Sequence, residues 1–205
     1  LLIYCCRLAI EKKVPSLPIN IVLIEVDWDM LLELATLHKI RPLLFKGISK
    51  WDYFPQIPPT FIEKLKAICF QITIKNLNHT NELIQLLQLF QKAGISNVLP
   101  YKGVLLAEVA YNDINAREYT DLDLLIAFKD LLSIKNLLME RGYQPELEIP
   151  SHLLPKFMKQ YYEFNFGLFK AGKRIFHIEP HWLIGPKIFQ LQFSYTDFRP
   201  FIIQK

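Results

Sequence analysis

The sequence predicts an α+β chain, with a helical half over residues 1–92 and an α/β half over residues 93–205. Two observations carry this. Before Gly94, apolar residues recur three and four positions apart over long stretches, the period of helices with one buried face. After Gly94, short apolar runs, one opening on period-two alternation, take turns with amphipathic stretches, the pattern of strands and helices mixed in one domain.

The elements follow in order. Trp28, Leu31, Leu32, Ala35 and Leu37 form a helical face behind Asp27, whose carboxylate suits a cap. Pro42 closes that stretch or stands just beyond it. The connector SKWDYFPQIPPT is broken by Pro55, Pro58 and Pro59. From Thr60 a long helical pattern begins with Phe61, Leu65, Ile68 and Ile72, and Glu63 completes a capping-box spacing. It resumes with Leu83, Leu86, Leu87 and Phe90, and the polar stretch at Asn76 and Asn78 suggests a break into two helices. Gly94 ends the pattern as a C-terminal cap.

Beyond it, ISNVLPYKG reads as a short strand and VLLAEVAY as a buried helix, apolar nearly all round. A polar loop leads to DLDLLIAF, a strand. KDLLSIKNLLMERG is an amphipathic helix stopped by Gly142, and SHLLPKFMKQYY reads as helical on either side of Pro155. YEFNFGLF and KRIFHIEPHW form a hairpin across Lys170, Ala171 and Gly172. Neither an internal repeat nor a low-complexity tract interrupts this order.

Composition bounds the function. With 51% hydrophobic and 21% charged residues the chain is globular rather than disordered. A net charge of +4 suits a phosphate-bearing ligand but is too small to indicate a nucleic-acid binder. The mean hydropathy of +0.16 fits an oligomer or a domain cut from its neighbour. The missing initial Met and the apolar ending FRPFIIQK point the same way, to a piece of a longer protein. Cys5, Cys6 and Cys69 offer no disulfide framework and no metal spacing, and read as small buried residues of a reducing compartment. No run approaches the about 20 apolar residues a membrane span needs. The opening LLIYCCRLAI carries Arg7 and lacks a basic leader, so the expected location is cytoplasmic.

Three pieces of the sequence carry chemistry. Asp121 and Asp123 stand two apart on a predicted strand, so both carboxylates leave one face while Leu122, Leu124 and Ile126 anchor the other. Adjacent carboxylates repel unless a cation lies between them, and hard oxygen donors at this spacing suit Mg²⁺. A solvated strand edge is the plainer reading of a D-x-D taken alone. Upstream, Lys102 and Gly103 close a strand and open a helix, where glycine lets a phosphate reach free backbone N–H groups. In RIFHIEPHW, strand parity puts His177, Glu179 and His181 on one face. The histidines read as structural or supporting groups, with a zinc site the minority reading because the spacing is not H-E-x-x-H.

Together these motifs resemble the uncharacterised nucleotidyltransferase family of the DNA polymerase beta-like superfamily. The resemblance rests on Lys102-Gly103, on Arg117 with Thr120-Asp121-Leu122-Asp123-Leu124-Leu125-Ile126, and on Ile178-Glu179-Pro180-His181-Trp182. His38-Lys39-Ile40-Arg41-Pro42-Leu43-Leu44 and Gly94-Ile95 resemble its helical lead-in. The resemblance implies a small mixed sheet flanked by helices. It also implies a two-ion Mg²⁺ site on Asp121, Asp123 and Glu179, which would be the catalytic carboxylates, with Glu179 alternatively the general base for the acceptor proton. Gly103 and its helix would hold the phosphates of a nucleoside triphosphate, and Lys102 and Arg117 would neutralise their charge. The implied reaction is nucleotidyl transfer to a hydroxyl acceptor with release of pyrophosphate. Two departures stand out: Val104 follows Gly103 where the superfamily usually has Ser or Gly, and Pro180 follows Glu179.

The leading expectation is therefore a Mg²⁺-dependent nucleotidyltransferase with an unidentified acceptor. A non-catalytic nucleotide- or partner-binding module on the same fold is the alternative. A phosphohydrolase using His177, Glu179 and His181 ranks third.

Overall fold

The computed structural model describes residues 1–11, 26–51, 57–150, 152–186 and 193–198. Residues 52–56 of the aromatic connector, Pro55 among them, and residues 199–205 of the C-terminal apolar run lie outside them. The chain divides into two compact units, Leu1–Asn78 with Leu106–Tyr119, and His79–Leu105 with Thr120–Lys205.

The first unit is helical: α1 (Leu2–Ile10), α2 (Trp28–Leu37), α3 (Arg41–Ile48) and the first part of α4 (Pro59–Lys92). Asp27 caps α2 as its sequence suggests, its side chain accepting from the Met30 N–H at 2.9 Å. Leu31, Leu32, Ala35, Leu44, Ile48, Phe61 and Leu65 pack into one core with Cys5 and Cys69. Gly47 is required where α3 meets α1, because a Cβ there would lie 1.8 Å from the Cys5 carbonyl oxygen. Arg41 holds Glu118 through two parallel hydrogen bonds, Nε to Oε1 at 2.7 Å and Nη2 to Oε2 at 2.5 Å.

The expected break at Asn76 and Asn78 does not occur: α4 runs unbroken for 34 residues. Its buried stripe passes through Phe61, Leu65, Cys69, Ile72, Asn76, His79, Leu83, Leu86 and Phe90, three and four apart throughout. The polar members of the stripe are accommodated one by one. Within the first unit, Asn76 Nδ2 donates to the carbonyls of Ile114 at 3.0 Å and Arg117 at 2.9 Å. Within the second, a His79 ring nitrogen lies 3.4 Å from the Thr120 carbonyl, and Glu82 binds Arg141 and Tyr143. The helix ends at Gly94 in a Schellman motif, with Ile95 N–H to Phe90 O at 2.9 Å and Gly94 N–H to Gln91 O at 3.0 Å.

The second unit carries a five-stranded sheet in the order β1 (Val98–Pro100), β2 (Leu122–Ile126), β5 (Lys173–His181), β4 (Phe166–Lys170), β3 (Gln144–Pro145). β2 and β5 pair in parallel and the other neighbours are antiparallel, so the sheet is small and mixed as expected. Every residue of β2 is buried, as a central strand requires. The β4–β5 hairpin turns on Ala171 and Gly172, both at positive φ, the conformation of a type I′ turn. α6 (Leu131–Glu140) follows β2, with Leu131, Ile134 and Leu138 buried at helical spacing. α8 is the short Tyr195–Phe198.

Two local expectations change. α5 (Gly103–Tyr111) is not buried all round: Val109 is 75% exposed and Leu105 and Leu106 are partly exposed, so only Gly103, Val104 and Ala107 face the interior. α7 (Leu154–Gln160) starts at the proline instead of flanking it, since Pro155 occupies the first turn, where its missing N–H costs no helical hydrogen bond.

Candidate active site

The site is built on the parallel β2–β5 pair of the second unit. The register sets Asp123 opposite Glu179 and Leu122 opposite Ile178. Opposed residues of neighbouring strands project to the same face of a sheet, so the two carboxylates meet while the leucine and isoleucine enter the core. Two residues on, His181 returns to the face of Glu179. Ligand atoms of Asp123, Glu179 and His181 all lie within 4.8 Å of one another.

β1 brings in the cation. Pro100 pairs with Leu124, and the Tyr101 N–H reaches the Asp123 carbonyl at 3.4 Å, which sets Lys102 beside the Asp123 side chain. Lys102 Nζ donates to Asp123 Oδ1 at 2.7 Å. Gly103 opens α5 with a φ of +45°, a backbone conformation that favours glycine. The first N–H groups of any helix lack partners inside it, so this turn presents donors next to Lys102.

His181 is almost wholly enclosed, at 1% exposure. Its Nε2 lies 3.2 Å from Asp123 Oδ1 and 3.4 Å from Glu179 Oε2, and its Nδ1 lies 3.2 Å from Glu163 Oε2. None of these contacts has the alignment of a hydrogen bond, so among the described residues both ring nitrogens are buried without one. The far oxygen of Glu179 lies 3.4 Å from His177 Nδ1, and His177 Nε2 lies 3.2 Å from Glu146.

Burial works against every charge here, and the contacts outweigh it. Desolvation alone would raise the Asp123 carboxyl, but His181 and Lys102 hold it below the ordinary carboxylate value. Desolvation alone would lower His181 and Lys102, but Asp123 raises both, with Glu179 and Glu163 adding to the rise of His181. Burial drives the Tyr101 hydroxyl upward as well.

Of the residues singled out by sequence, Lys102, Gly103, Asp123 and Glu179 come together. Asp121 immediately precedes β2, is half-buried and is not one of the three converging groups. Arg117 falls in the first unit, where its backbone carbonyl accepts from Asn76. His181 joins the carboxylates, a place its reading as a supporting residue did not give it. The signal for it was the i, i+2 spacing from Glu179 on one strand.

The residues fit a divalent cation. Two carboxylates and an imidazole converge, two of the three are nearly fully buried, and the acids outnumber the fixed positive charges beside them. The α+β architecture is that of a nucleotidyltransferase-like fold. The chain belongs to the uncharacterised nucleotidyltransferase family, whose profile matches residues 25–201. Neither the curated proteins nor the solved structures contain a match. Among the described residues, no helix is long and apolar enough to cross a membrane.

Proposed function

We propose that this protein transfers a nucleoside monophosphate from a nucleoside triphosphate to a hydroxyl acceptor, using a divalent cation held by Asp123 and Glu179. The observation that carries the reading is the pairing of Asp123 with Glu179 across parallel strands, with Lys102, the residue before Gly103, donating to Asp123 at 2.7 Å. Asp121 is the further carboxylate at the mouth of β2. A bound divalent cation such as Mg²⁺ would offset the charge that builds on the attacking and leaving oxygens.

The chain's own groups do the rest. The first turn of α5, opened by Gly103, receives phosphate oxygens on its backbone N–H groups. Lys102 has a half-exposed side chain and so can leave Asp123 to meet the incoming phosphates. The acceptor oxygen attacks the α-phosphorus in line, the bond to the β-phosphate oxygen breaks, and pyrophosphate leaves with that electron pair. The acceptor proton passes to a carboxylate of the cluster, with Glu179 the better exposed of the two. Most of the rate enhancement is then positioning and charge stabilisation.

The test is calorimetry with a non-hydrolysable nucleoside triphosphate, with and without Mg²⁺. Cation-dependent binding that weakens at least ~10-fold in Asp123→Asn and in Glu179→Gln is expected. Binding that needs the cation yet is untouched by both substitutions sinks the assignment. One observation favours the non-catalytic alternative: Lys102 and His181 already meet the charge of Asp123. Nucleotide binding of equal strength in chelator would select that reading.

A further inference from the structure

We propose that His181 is itself a ligand of the cation, with Nε2 as donor and Glu163 holding the ring, so that the site prefers a first-row transition-metal ion to Mg²⁺. This rests on the reading of Asp123 and Glu179 as cation ligands and goes beyond it in naming the ion class. The starting point is an unmet need. An imidazole at 1% exposure with neither nitrogen in an aligned hydrogen bond is costly among the described residues, and its Nε2 faces the oxygens of Asp123 and Glu179. A cation at the point where these atoms converge satisfies all three groups at once.

The outer contacts have the form that ligand sets require. A metal-bound histidine usually gives its other ring nitrogen to a carboxylate, which fixes the tautomer and aims the lone pair. Glu163 Oε2 lies 3.2 Å from His181 Nδ1, and the backbone builds that contact in: Glu163 and His181 form an isolated antiparallel bridge. The bridge is flanked by Phe164 N–H to Pro180 O at 3.0 Å and Trp182 N–H to Tyr162 O at 2.9 Å. Glu179 has its own outer contact in His177 Nδ1. Glu163 is therefore a positioning residue, touching the cation only through the imidazole.

The donor set decides the ion. Carboxylates alone suit Mg²⁺, whereas an imidazole nitrogen added to them favours ions that accept nitrogen. Lys102 shares the Asp123 oxygen nearest Nε2, and its half-exposed chain lets it withdraw when the ion arrives.

The experiment uses the full chain, stripped with chelator and titrated with Mn²⁺ alone and with Mg²⁺ alone. We expect one Mn²⁺ per chain, bound at least ~10-fold more tightly than Mg²⁺. Pulsed electron paramagnetic resonance should detect nitrogen coupled to Mn²⁺, changing when the histidines carry ¹⁵N. The coupling should persist in His177→Gln and vanish in His181→Gln. Glu163→Gln should weaken Mn²⁺ about 10-fold or more with nitrogen still coupled, the size seen when outer contacts of metal ligands are removed. Because the label is read in the unaltered protein, a variant that fails to fold leaves the test intact. Asp123-dependent Mn²⁺ binding without nitrogen coupling, or with no advantage over Mg²⁺, overturns the role of His181 and leaves the carboxylate reading standing. Binding of either ion that ignores Asp123→Asn overturns both.

Discussion

Glu82 and Asp123 are both acidic, both in the second unit and nearly equally buried, at 6% and 5% exposure. Their surroundings differ. Glu82 receives two hydrogen bonds from Arg141, Nε to Oε1 at 2.9 Å and Nη2 to Oε2 at 3.0 Å, and a third from the Tyr143 hydroxyl at 2.8 Å. One fixed cation answers one anion. Asp123 has Lys102 and His181, but two more carboxylates, Glu179 and Glu163, crowd the same imidazole. Glu82 sits in a closed ion pair that supports the fold, whereas the excess of acid around His181 is what the proposed cation would offset.

The largest effect on folding is expected at the closed site. Glu82→Gln leaves the Arg141 guanidinium without its anion and should cost about 3 kcal/mol in urea unfolding, while Mn²⁺ and nucleotide binding by the folded fraction stay as they were. A cost under about 1 kcal/mol would erase the contrast. Tyr143→Phe removes one hydrogen bond to a charged acceptor and should cost about 1–2 kcal/mol, read from the same curves.

Asp123→Asn is the mirror case. Its unfolding free energy should stay within about 1 kcal/mol of the parent, because relief of repulsion from Glu179 offsets loss of Lys102, even though ligand binding collapses. A destabilisation as large as that of Glu82→Gln would make Asp123 a structural acid after all.

A smaller signature separates the sites by pH. Burial first, and the Glu82 charge second, push the Tyr143 hydroxyl above its ordinary value near 10. A group raised on folding lends stability that is complete below its unfolded value and is lost as pH climbs toward the folded one. Unfolding midpoints taken at pH 8 and above pH 10 should therefore fall, and fall less in Tyr143→Phe. An equal fall in both proteins would show that the tyrosine carries no such linkage.

Much of this was legible from residue order. Period-two spacing put Glu179 and His181 on one face, and the glycine after Lys102 marked the turn into a helix. That Asp123 and Glu179 meet could not be read from spacing alone, since parallel pairing joins segments far apart in the chain: the residues allowed it on the condition that the hairpin lies beside the Asp strand, and the family resemblance implied it. His181 was undervalued because its importance lies in what surrounds it: Glu163 reaches it through a bridge outside the main strands. The continuity of α4 was hidden for a related reason. The stretch at Asn76 and Asn78 looks like an interruption until the polar residues of the buried stripe, Asn76, His79 and Glu82, are seen to find partners in Ile114, Arg117, Thr120, Arg141 and Tyr143. α5 misled in the opposite sense, since an all-apolar composition says nothing about which side is covered.

The β2–β5 register has a consequence for how this chain can vary. A strand displaced by a single residue turns every side chain to the opposite surface. One insertion inside Leu122–Ile126 or between His177 and His181 would drive an acid into the greasy layer beneath and lift a leucine or isoleucine into its place. Additions of any length at the exposed hairpin tip around Ala171 leave that alignment untouched. The hairpin tip is thus free to vary in length, while the count of residues within each strand is not.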